Sequence, residues 1–105
     1  MKEITVQELK QWREMKVDFQ LIDVREEHEY EMGNIGGELI PMGQLLEKVD
    51  IISKEKPVVV HCRSGVRSAT VINQLEKKYG FTNLANLKGG ILAYAKEIDN
   101  TLSIS

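Results

Sequence analysis

The chain has 105 residues, enough for one domain with a single core, taken to span residues 1–105. Its 14 basic and 16 acidic residues leave a net charge of −2, which excludes a general nucleic-acid or membrane-binding surface. A lone cysteine excludes an internal disulfide, and two histidines far apart, His28 and His61, make a poor metal set, so no metal or other cofactor is expected.

Met1-Lys2-Glu3-Ile4-Thr5 carries no apolar run of the signal-peptide kind, and no stretch approaches transmembrane length. A cytoplasmic, reducing compartment is therefore expected, where a thiol stays reduced. A short strand near Glu3–Ile4 precedes Thr5-Val6-Gln7-Glu8, which has the form of a capping box and predicts a helix over Val6–Glu14. Phe19–Val24 reads as a second strand. Glu26–Met32 reads as a short helix with an acidic first turn, stopped at Gly33. Ile35–Ile40 predicts a short strand ending at Pro41, and Gly43–Ile52 a helix with Leu45, Leu46, Val49 and Ile52 on its apolar side. After Pro57, Val58–His61 reads as a buried strand. Ala69–Tyr79 follows as a helix stopped at Gly80, then a strand over Asn83–Leu87 and a helix over Ile91–Ile98.

Strands alternating with helices predict an α/β domain with a mostly parallel sheet. Ligands in such folds collect beyond the carboxyl ends of the strands. Cys62, Asp23-Val24-Arg25 and Lys88-Gly89-Gly90 all follow strand ends, so they are expected on one rim.

Cys62 lies between a strand end and a helix N-terminus, with Arg63 and Arg67 close by. Free backbone N–H groups and the positive end of a helix dipole there lower a thiol pKa, making a nucleophilic thiolate available at neutral pH. Gly65 lets the backbone bend so that successive N–H groups form an anion-binding nest. Ser64 and Ser68 add hydroxyl donors. Arg63 and, more firmly, Arg67 are expected to steer and clamp an anionic sulfur donor such as thiosulfate.

Cys62-Arg63-Ser64-Gly65-Val66-Arg67-Ser68 resembles the active-site loop of single-domain rhodanese-like sulfurtransferases. Asp23-Val24-Arg25 with Glu29-Tyr30 is similar to that family's Asp-x-Arg-x-x-x-Glu-aromatic element, and Gly33-Asn34-Ile35-Gly36-Gly37 to its Gly-His-Ile-x-Gly segment. Leu87-Lys88-Gly89-Gly90 through Tyr94 resembles its Leu-x-Gly-Gly ending, which commonly closes on Trp. The resemblance implies an α/β/α sandwich around a five-stranded sheet, with Cys62 carrying a persulfide between donor and acceptor. Asn34 and Tyr94 depart from the family pattern, and both are expected to be structural.

With one cysteine, no internal thiol can take the sulfur. An external acceptor is needed: cyanide, a small thiol, or a thioredoxin-like protein acting on a monomer. The alternatives are a sulfur carrier without turnover and a phosphatase or arsenate reductase of related fold. Those phosphate-type enzymes use Cys-x5-Arg, whereas Arg67 here stands one residue nearer to Cys62.

Among supporting residues, Arg25 and Glu29 are four apart and are expected to pair across a strand-to-helix turn. Asp23 ends its strand on the rim. His61 should point to the face opposite Cys62 as a satisfied core histidine. Gly89 and Gly90 are expected to permit close approach of the last helix to the Cys62 loop.

Overall fold

The capping box at Thr5 forms as the sequence requires. Glu8 N–H donates to Thr5 Oγ1 at 3.1 Å, and Thr5 N–H donates to the Glu8 carboxylate at 2.9 Å. In the computed structural model, which describes residues 1–104, this box joins β1 (Lys2–Ile4) to α1 (Val6–Glu14). The remaining elements are β2 (Gln20–Asp23), α2 (Glu27–Met32), β3 (Glu38–Leu39), α3 (Met42–Leu45), a 3₁₀ turn at Val49–Ile51, β4 (Val58–His61), α4 (Val66–Tyr79), β5 (Leu84–Leu87) and α5 (Gly90–Glu97).

The five strands form one sheet in the order β1-β5-β4-β2-β3, and every pairing is parallel. Strand alternation divides the core into two layers. Val58, Val60 and Cys62 face a cluster with Leu45 of α3 and Val71, Ile72 and Leu75 of α4. Val59, Leu21 and Leu87 face Val6 and Leu9 of α1 and Ile91 and Tyr94 of α5. The result is a three-layer α/β/α sandwich with β4 buried on both sides, which is why its sequence is an unbroken apolar run.

Three elements differ from the sequence expectation. The helix expected over Gly43–Ile52 is only α3 and a separate 3₁₀ turn. Gly43 and the Val49-Asp50-Ile51-Ile52 run are poor helix formers, and burying Leu45 and Ile52 does not need a continuous helix between them. The strand expected over Ile35–Ile40 shrinks to the edge pair Glu38–Leu39. The helix expected from Ala69 begins instead at Val66, so Val66, Arg67 and Ser68 form its first turn. That last difference shapes the site.

Candidate active site

Two helix N-termini converge on the loop after β4. Gly65 is the N-cap of α4 with a left-handed φ of 107°, and it has no side chain to satisfy the first-turn N–H groups. The sulfur of Cys62 fills that role. Gly65 N–H donates to Sγ at 3.1 Å, and the backbone N–H groups of Ser64 and Ser68 also stabilise its charged form. Cys62 is 1% exposed, and burial alone would push its thiol up. The N–H groups of Ser68, Gly65 and Ser64, together with the Ser68 hydroxyl when its proton turns toward the sulfur, outweigh burial and hold the thiol below its ordinary range.

The second helix end fixes the opposite side of the same peptides. Ile91 N–H donates to the Cys62 carbonyl at 2.9 Å and Leu92 N–H to the Arg63 carbonyl at 3.1 Å. With these carbonyls held by the first turn of α5, the loop N–H groups are left to face the sulfur. The approach is so close that a Cβ on Gly90 would lie 2.4 Å from the Arg63 oxygen and 2.6 Å from the Cys62 oxygen. Gly89 and Gly90 both have left-handed φ, 78° and 63°.

Arg67 does not stand in the loop as an unpaired cation. Its guanidinium donates to both carboxylate oxygens of Glu29 at 2.7 and 2.8 Å. This fork raises the Arg67 pKa and holds the Glu29 carboxyl at about 2, despite the opposing effect of its burial. The Arg25–Glu29 pairing expected from their spacing is therefore absent as a side-chain contact. Arg25 is fully buried and instead clasps Asp23: Nη2 lies 2.8 Å and Nε 3.0–3.1 Å from its carboxylate. Its remaining donors reach the backbone carbonyls of Glu29 and Gly33. The sequence spacing was right for a helix surface, but Arg25 precedes α2 and turns back toward β2. Arg63 and Ser64 are exposed at the mouth of the loop, as is Val66.

His61 does project away from Cys62, toward Asp23 on the neighbouring strand, with Nε2 3.7 Å from Asp23 Oδ2. It is not a satisfied histidine, however. It is fully buried, and neither ring nitrogen has a hydrogen-bond partner among the described residues. Burial pushes its pKa down to about 4, and Asp23 only partly opposes that. The carboxylate of Asp23 is already committed to Arg25, which explains why the imidazole is left out.

Asn86 was not legible as a site residue. It sits on β5 opposite Val60, is 4% exposed, accepts from Ser68 Oγ at 2.6 Å and donates to the Gly65 carbonyl at 3.1 Å. The available signal was a single amide inside an otherwise apolar strand, on the face that alternation assigns to Cys62. Asn34 and Tyr94 have structural roles. Asn34 braces its own turn through Tyr30 O and Gly36 N–H, and buried Tyr94 contacts Arg13 of α1. A groove of about 630 Å³ runs beside the loop, lined in part by Ser64, Gly65, Val66, Asn73 and Asn86.

Among known proteins, the rhodanese-like domain family matches residues 5–97. The Bacillus subtilis protein YqhL is 42% identical over 80 residues, covering 75% of this chain, and the chain spans 63% of its length. The putative sulfurtransferase YtwF of Bacillus subtilis is 39% identical over 98 residues, covering 92% of this chain and 93% of the relative. A rhodanese-like domain protein from Staphylococcus aureus superposes with a TM-score of 0.84 at 35% identity, over all of this chain and 99% of that one. A match that takes in four of the five strands and every loop of the rim leads to one conclusion: the chain belongs to the rhodanese-like sulfurtransferase family.

Proposed function

We propose that the chain moves sulfane sulfur from thiosulfate, or a similar anionic donor, to a thiophilic acceptor through a persulfide on Cys62. The observation that carries this reading is the backbone cradle: N–H groups of Ser64, Gly65 and Ser68 directed at one sulfur, with the loop carbonyls taken up by α5. Such a ring stabilises an anion without any side chain that could be titrated away.

In the first step the Cys62 thiolate attacks the outer sulfur of thiosulfate. A sulfur–sulfur bond forms at Sγ, the bond to the sulfonate sulfur breaks, and sulfite leaves with that electron pair. The single negative charge now sits on the terminal sulfur of the persulfide, inside the loop. In the second step an acceptor thiolate or cyanide attacks that terminal sulfur and the Cys62 thiolate departs. No proton donor is needed for either leaving group. The groove beside Ser64, Gly65 and Val66 offers the acceptor its approach, and Arg63 at the mouth attracts the donor dianion.

The loop has one residue fewer between Cys62 and its arginine than a Cys-x5-Arg phosphate cradle, and that arginine is held by Glu29. Both features favour a single sulfur atom over a phosphoryl group. Intact-mass measurement after incubation with thiosulfate tests the reading. The native chain gains one sulfur that cyanide removes, and Cys62→Ser gains none. An unchanged native mass, or sulfur transfer by Cys62→Ser, would overturn it.

A further inference from the structure

Ser68 has one hydroxyl proton and two neighbours able to take it. Its Oγ lies 3.4 Å from Cys62 Sγ and 2.6 Å from Asn86 Oδ1. The amide of Asn86 is fixed in this sense, because its Nδ2 donates to the Gly65 carbonyl at 3.1 Å. A turned amide would set oxygen against oxygen there. Asn86 Oδ1 therefore meets Ser68 as an acceptor only, and the Ser68 proton lies on the Asn86 side. Toward Sγ the hydroxyl then presents a lone pair, which suits a protonated thiol and not a thiolate. A thiolate draws the Ser68 proton to itself only by leaving Asn86 Oδ1, buried on β5, without a donor.

We propose that Asn86 is a positioning residue that competes with the sulfur of Cys62 for the hydroxyl proton of Ser68. Asn86 thereby restrains the acidity that the loop N–H groups confer on the thiol. No covalent bond changes in this competition: the hydroxyl rotates, and the thiol proton leaves to solvent. The inference rests on the persulfide reading in one further respect. In a persulfide Sγ is uncharged and the negative charge lies one atom outward, so Ser68 can keep its bond to Asn86. Asn86 thus favours the loaded form over the free thiolate.

The other charged groups around the loop are Arg63 within it, Arg67 on α4 with Glu29 on α2, the Asp23–Arg25 pair at the end of β2, and Glu3 of β1 beside Asn86 with the Met1 amino group lining the same groove, with neutral His61 on the far face. All of them are retained in the variants that test the idea. The measurement is the rate of Cys62 alkylation by iodoacetamide against pH, on the full chain, for the native protein, Asn86→Ala, Ser68→Ala and the double variant. Asn86→Ala is expected to move the midpoint down by about half a pH unit or more as long as Ser68 is present to turn its freed proton toward the sulfur. In the Ser68→Ala background, Asn86→Ala is expected to leave the midpoint where it is. Asn86→Val, which suits a strand, serves as the second variant if the alanine chain unfolds. No shift, an upward shift, or the same shift with and without Ser68 would overturn the proposal, the last because it marks a loosened Gly65 loop. Alkylation needs no sulfur donor, so this outcome is independent of whether a persulfide forms.

Discussion

Arg67 on α4 grips Glu29 on α2 through two hydrogen bonds of 2.7 and 2.8 Å, and so ties the first turn after the Cys62 loop to the helix that follows β2. Glu29 is 8% exposed and also accepts from Glu26 N–H at 3.0 Å. The arginine that the sequence offered as an anion clamp thus has Glu29 as its partner in the fold.

Replacing Arg67 with Ala leaves a mostly buried carboxylate without its main partner. The expected loss of stability is about 1–2 kcal/mol, modest because Arg67 is partly solvated. Glu29→Gln in the Arg67→Ala background should recover part of that loss, since an amide costs less to strand than a carboxylate. Urea unfolding of the four chains checks this, and additive losses would show that the pair is not coupled. For thiosulfate, kcat/KM should fall more in Arg63→Ala than in Glu29→Gln/Arg67→Ala, and the gap between the native and Arg63→Ala rates should narrow as salt is added.

Two glycines of left-handed φ make a matched comparison. A Cβ at Gly90 would collide with the backbone of Cys62 and Arg63, whereas one at Gly80 (φ 71°) meets nothing within 4 Å. Gly80→Ala is expected to cost about 1–2 kcal/mol, the strain of the backbone conformation alone, and to leave persulfide formation intact. Gly90→Ala should cost more and also abolish persulfide formation, because the loop must move away from α5. Thermal unfolding and intact mass on both variants separate the two effects. Normal sulfur uptake by Gly90→Ala would refute the role given to α5.

The pH dependence of stability should carry the signature of His61. Its pKa is about 4 in the fold and near 6.5 in an unfolded chain. Between those values the unfolded chain binds a proton that the native chain refuses, so stability falls as pH drops from about 6.5 toward 4 and this loss then levels off. The gap corresponds to something on the order of 3 kcal/mol. His61→Leu should remove that slope and cost little at pH 7, since both ring nitrogens are already without partners. Glu29 contributes in a lower window. Its carboxyl is held down by Arg67, so its contribution is present above about 4.5 and is lost as pH falls toward about 2. Unfolding free energies from pH 3 to 8 for the native and His61→Leu chains test this directly. Parallel curves would rule out His61 as the source.

Aryl phosphate hydrolysis should be negligible beside sulfur transfer, because the loop is short and Arg67 is engaged. Assaying p-nitrophenyl phosphate and thiosulfate on one preparation decides the point, and efficient phosphate release would reverse the assignment.

Local chemistry was enough for part of this protein. The capping box at Thr5, the apolar run of β4 and the glycines after Tyr79 and Lys88 each specify their backbone through near neighbours, and the alternation of strand and helix specifies a parallel sheet. The cysteine at a strand-to-helix junction was legible for the same reason, since the groups that act on it lie within six residues. What the sequence could not decide was which partner each polar side chain chooses among several within reach. Arg25 had Glu29 four residues away and took Asp23. Glu29 took Arg67, 38 residues on, and Ser68 took Asn86, 18 residues on. Those choices follow from desolvation: a buried carboxylate or amide must find its donor wherever packing brings one, and only the stacking of α2, α4 and β5 around the loop sets which donor that is.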